Sequence, residues 1–189
     1  MPSTFKPIKM SINLNLMKGV ITLMIFFGLN NSIISQELEL NKEFLSIEKY
    51  VSSMEELEED ISKAPVKWHL LHKLQVINGV VDIAANSNPE DFNSKSNFKW
   101  WYVATFGKIP RGQVKAPDVV NPSFDITEKD IKNALENAKL TASQWSNLED
   151  NNFYQHHVLL DLNKRKIRRF LKVHTRHHLR IVRDITKER

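Results

Sequence analysis

The stretch NKRKIRRFLKVHTRHHLRIVRDIT, Asn163 to Thr186, decides the fold. Asn163 is a strong helix N-cap, and no Gly or Pro interrupts the run that follows. The stretch therefore reads as one long helix ending at about Thr186. At about 100° per residue, Ile167, Leu171, His174, His178, Ile181 and Ile185 fall on one narrow stripe. His177 falls at the margin of that stripe. Arg165, Arg168, Arg169, Lys172, Arg176, Arg180 and Arg183 cover the outer face. A helix divided in this way must bury its apolar stripe against other helices.

The remaining long segments supply them. Residues 37–60 are acidic, with Leu38, Phe44, Leu45, Ile47, Val51, Met54 and Leu57 at three- and four-residue steps. Ser53 and Glu56 have capping-box spacing, so the segment reads as one helix or as two. Pro65 opens the next helix, Val66 to Ala85. Leu70, Leu74, Ile77 and Val81 line one side of it, and His69, His72, Val76, Val80 and Ile83 the other. Apolar positions on both sides predict burial on both sides. Thr127 with Asp130 opens a further helix running to about Leu148, with Ile131, Leu135, Ala138 and Ala142 on its inner face.

Between these lie a loop at residues 86–91, an aromatic stretch from Phe98 to Phe106, and an irregular connection from Gly107 to Pro122. Trp100, Trp101 and Tyr102 read as a pocket lining, or as core or an amphipathic lid. No internal repeat and no strand pair is evident. The expected class is all-α, a four-helix bundle.

The 189 residues contain no cysteine, which excludes disulfides, thiolate metal sites and a cysteine nucleophile. Any metal must be held by His and carboxylates. The seven histidines occupy three places: His69 and His72, His156 and His157, and His174, His177 and His178. His174 and His178 are four residues apart on an inward face, with a rise of about 6 Å between them, a spacing that lets two imidazoles share an ion. Thr175 stands where a zinc-protease helix carries glutamate, so that reading fails. A third ligand is needed. His69 or His72, on the facing helix, is the natural source. The competing reading is a set of satisfied core histidines.

The net charge of +5 overstates the basic character of the folded region. Residues 1–35 hold Lys6, Lys9 and Lys18 and no acid, leaving 24 basic against 22 acidic residues in the rest. The basic face of the last helix reads either as a surface for nucleic acid or anionic membrane, or as a solvated face balanced by Glu55, Glu56, Glu58, Glu59 and Asp60. The latter is favoured, and no specific nucleic-acid partner is expected.

Lys18 followed by the apolar run Val20 to Leu29, then Asn30, Asn31, Ser32 and Ser35, has the order of a secretory signal. Met17 would serve as a compact start. The run is shorter than the roughly 20 apolar residues of a membrane span, although Ile33 and Ile34 extend it. The organisation expected is a signal or hydrophobic segment at 1–35 and a helical domain at 36–189. The location expected is exported, periplasmic or envelope-associated, with membrane anchoring through an uncleaved segment as the alternative.

Three motifs in order carry a resemblance. They are WHLLHKLQVI at residues 68–77, GKIPRG at 107–112 with KAP at 115–117, and FLKVHTRHHLRI at 170–181. Together they resemble a domain-of-unknown-function branch of the DinB/YfiT-like metalloenzyme superfamily, over residues 40–187. The resemblance implies a four-helix bundle holding a divalent metal through three histidines. On this sequence they are His72, His174 and His178, with His69 as fallback for His72. His177 and His156 are alternate or supporting positions. Relatives often carry His-Pro-x-Phe-Gly-x-Leu before the last helix, whereas this chain has HHVLLDL at 156–162, which weakens any shared role for His156.

The function expected is a metal-dependent hydrolase or transferase acting on a small molecule, with zinc, nickel or iron on an all-nitrogen site. Export away from cytoplasmic thiols weakens a thiol-transferase reading. Arg111 either binds an anionic substrate group or only ties down its turn. Asp161 and Glu136 are open as ligand-orienting groups or bases. The alternative is a non-catalytic binding or envelope-associated module. A homodimer is left open.

Overall fold

The computed structural model describes residues 38–112 and 121–188. The signal segment and the KAP motif lie outside the described residues. Five α-helices and one two-stranded sheet are present among the described residues.

Helix α1 (Asn41–Tyr50) buries Phe44, Ile47 and Tyr50. Its buried Glu43 is satisfied by Arg176, 2.7 Å away. The chain then tightens into a short 3-10 turn, Val51–Ser53, and leaves helical geometry. The expected capping box at Ser53 does not form. The Ser53 carbonyl accepts from Glu56 N at 3.0 Å, and the acidic stretch that follows is an irregular loop. That loop has its own use. The carbonyls of Met54 and Glu56 accept from Lys67 N and Val66 N at 2.8 and 2.9 Å. They satisfy the first amides of the next helix, which has no side-chain cap.

Helix α2 (Val66–Ala85) is buried on most of its circumference. Ile83 departs from the expectation, being 51% exposed near the helix end. Helix α3 (Phe98–Phe106) is the aromatic stretch, started by Asn97, whose side chain accepts from Trp100 N at 2.8 Å. Gly107 ends it in a left-handed conformation, φ 60°. Helix α4 (Glu128–Ser143) begins with the expected Thr127–Asp130 capping box. It stops short of Leu148, because a 3-10 turn at Trp145–Asn147 follows and carries Trp145 and Leu148 into the core.

The expectation of no strand pair was incorrect. Strands β1 (Phe153–His156) and β2 (Leu160–Asn163) form an antiparallel hairpin, with Tyr154 opposite Leu162 and His156 opposite Leu160. Its turn has no Gly or Asn. Instead His156 Nδ1 accepts from the amides of Val158 and Leu159 at 3.0 and 3.4 Å. Leu160 takes a positive φ of 66°.

Helix α5 (Lys164–Ile185) follows directly, with Asn163 Oδ1 accepting from Lys166 N at 3.2 Å. Helix α2 packs against α4 on one side and α5 on the other, and α1 covers α5 and α2. The core is continuous through these helices, centred on Leu70, Leu74, Ile77, Ile131, Ile167 and Leu171. Among the described residues, no helix is long and apolar enough to cross a membrane.

Candidate metal centre

Helices α2 and α5 face one another, and each carries histidines onto the contact. One ligand atom each of His72, His174 and His178 lies within 4.8 Å of the others. The ring centroids are 5.2 Å apart for His72–His174, 4.7 Å for His72–His178 and 4.7 Å for His174–His178. The four-residue spacing on α5 produces the last distance, and the α2–α5 packing produces the other two.

The supporting contacts fix each ring. The Trp68 indole stacks on His72 at 4.6 Å, one turn before it on α2. Phe170, one turn before His174, packs against that ring at 5.4 Å. His178 is held by His69, whose Nδ1 is 3.0 Å from His178 Nδ1. His69 Nε2 is in turn 2.9 Å from Ser62 Oγ. The Nδ1–Nδ1 bond holds one proton between the two rings, so one ring donates and the other accepts.

Burial keeps the His174 and His178 rings neutral. It pushes His174 and His178 well below the usual histidine range, with neighbouring imidazoles adding to the effect. His69 is pushed down to about 3, first by burial and then by Lys73 and His72. A neutral imidazole is the form that binds a metal. His174 Nδ1 is sequestered and has no hydrogen-bond partner. Such an atom is costly unless something else takes its lone pair or proton.

The other expected positions fall elsewhere. His177 is buried at the margin of the cluster, 5.1 Å from His178 between ring centroids. It bonds the Ile109 backbone, and burial with Arg180 and Arg111 nearby lowers it to about 4. His156 serves the hairpin turn, and burial with His157 beside it holds it at about 4. Arg111 pairs with Asp184 at 2.5 Å, so the IPRG turn is tied to α5 through both Ile109 and Arg111. Asp161 accepts from Asn93 N, and Glu136 pairs with Lys139 on the surface.

Sequence reasoning missed two participants. Ser62 sits in a segment without periodicity, so only the tertiary contact reveals it. Lys73 is fully buried next to His72, with no hydrogen-bond partner for Nζ, and burial drives it well below its usual range. A lysine inside a helix apolar on both sides was the available signal.

The arrangement defines a mainly helical protein with a three-histidine cluster, buried at His72 and His178 and half-buried at His174, compatible with metal binding. No family model, curated protein or solved structure matches the chain.

Proposed function

We propose that this chain is an exported, DinB-like four-helix-bundle protein that binds a divalent metal through His72, His174 and His178 and acts as a hydrolase or transferase on a small molecule. One observation carries the reading: three imidazoles from two facing helices converge within ligand reach of one another. Helices α1, α2, α4 and α5 would be the bundle, with α3 and the hairpin as additions to it. The motifs at 68–77 and 170–181 support the family reading, since they supply both sides of the cluster.

The donor set fits zinc, nickel or iron. The cluster contains nitrogen ligands and no carboxylate, so the ion would keep its full positive charge. When bound, such an ion polarises a substrate oxygen or lowers the pKa of a bound water. The chain's own residues have definite tasks beside it. His69 and Ser62 orient His178, Trp68 fixes the plane of His72, and the apolar surroundings exclude bulk water. The alternative, a non-catalytic module with the same fold, shares every structural feature, and an open coordination position separates the two. The deciding experiment is elemental analysis of protein purified without a histidine tag. Near-stoichiometric metal supports the reading, and metal-free protein that does not take up zinc, nickel or iron refutes it.

A further inference from the structure

Helix α3 is presented to solvent as an aromatic ridge. Phe98, Trp101 and Phe106 are 73%, 52% and 53% exposed. They touch one another, with Phe98 stacked on Trp101 at 5.4 Å and Trp101 edge-on to Phe106 at 5.7 Å. Scattered exposed apolar residues are ordinary, but a contiguous ridge of three large rings marks a contact surface.

The ridge is rigidly mounted. Arg169 on α5 donates to the Ala104 carbonyl through Nε and Nη2 at 3.1 and 2.8 Å. Lys166 donates to Ser96 Oγ at 2.8 Å, just before the helix begins. The mounting also sets the ridge beside the basic stripe of α5. No acidic residue occurs from Phe92 to Gly112 or from Leu162 to Arg183. Lys99, Lys108 and Arg165 are exposed there, and among the described residues none of them pairs with a carboxylate.

We infer that α3 and the adjoining face of α5 form a docking surface for an anionic lipid bilayer. Aromatic rings enter the headgroup region, where an apolar body and a polar edge are both accommodated. The flanking cations remain among the anionic headgroups, their stems lying along the apolar surface. The sequence alone favoured a solvated basic face on this helix; the aromatic ridge set beside it is what points to a membrane. Two other occupants fit less well. A second copy would turn the same basic flank against itself in a two-fold contact. A single-stranded nucleic acid needs open ring faces for its bases, and the Phe98–Trp101 stack closes one face of each of those rings.

Brominated lipid provides the test, because all four tryptophans lie outside residues 1–36. Full-length protein is mixed with vesicles of phosphatidylcholine, with or without phosphatidylglycerol, the acyl chains being brominated. Tryptophan fluorescence should be quenched at least several-fold more with the anionic vesicles, and added salt should reduce the effect. Trp101→Phe should remove most of the quenching while sedimentation shows the protein still bound. Phe98→Ser with Phe106→Ser should weaken binding with unchanged circular dichroism. Lys99→Glu with Lys108→Glu should do the same while leaving the ridge intact. Equal quenching on neutral and anionic vesicles, quenching that survives Trp101→Phe, or no effect of either double variant would overturn the inference. So would protection of Trp101 by oligothymidylate or by self-association in place of lipid.

Discussion

His69 Nδ1 lies 3.0 Å from His178 Nδ1, and that contact assigns the two rings different tasks. His178 belongs to the three-histidine cluster, and His69 stands behind it, tied to Ser62 through Nε2 at 2.9 Å. A ligand histidine that donates its other N–H is oriented and made more basic.

Metal occupancy of the variants should follow this division. His72→Ala, His174→Ala and His178→Ala should each empty the site. His69→Ala should weaken binding by about 10–100-fold without abolishing it. His177→Ala should have a smaller effect, since that ring bonds the Ile109 backbone. Mass spectrometry of metal content and competition with a chromogenic chelator measure this series. If His69→Ala empties the site and His72→Ala does not, the third ligand is His69.

Removing the metal should lower stability. An ion that binds only the folded chain adds about 2.7 kcal/mol when present at 100 times its dissociation constant. The midpoint of thermal unfolding should fall on chelation and recover on adding back the ion. A midpoint indifferent to chelator would contradict binding to the folded state.

Acid should destabilise the metal-free protein before its carboxylates titrate. His156 and His177 stand at about 4 and His69 at about 3, all below the ordinary 6.5. Folded-state values below the unfolded ones mean that the unfolded chain takes up protons first. Stability is therefore complete above about pH 6.5 and is lost as pH falls towards 4 and then 3. Each histidine contributes a slope of about 1.4 kcal/mol per pH unit inside that window. Urea unfolding in chelator between about pH 6.5 and 5 reads the slope, and a flat profile would refute the assignment.

Lys73→Met should stabilise the fold by about 1–3 kcal/mol, because it removes a buried amine with no hydrogen-bond partner. The two side chains have similar length, so little repacking is required. Loss of stability in chemical denaturation would show that Nζ has a partner the contacts do not reveal.

Gly107→Ala should cost about 1–2 kcal/mol through the left-handed backbone alone. An added Cβ would also sit 3.3 Å from Arg169 Nη2, the group that holds the end of α3. Thermal unfolding should show the loss, and proteolysis should become faster at residues 98–112. No change in either would mean that α3 is not anchored through this corner.

Much of this protein was legible in its sequence. Helix spans were, because apolar spacing and caps act within a few residues: Val66 to Ala85, the Thr127 box and the Asn163 cap are local features. The inward placement of His174 and His178 followed from helical period alone. The hairpin was not legible, since four-residue strands show little alternation and its turn is closed by the His156 ring rather than by Gly or Asn. The residues alone left His69 and His72 both open as the third ligand, and the resemblance favoured His72. Three residues apart on α2, both face α5, and local pattern treats them alike. Only the packing of α2 on α5 turns His72 into the cluster and sets His69 behind His178, because a contact between residues 109 positions apart depends on how whole helices dock.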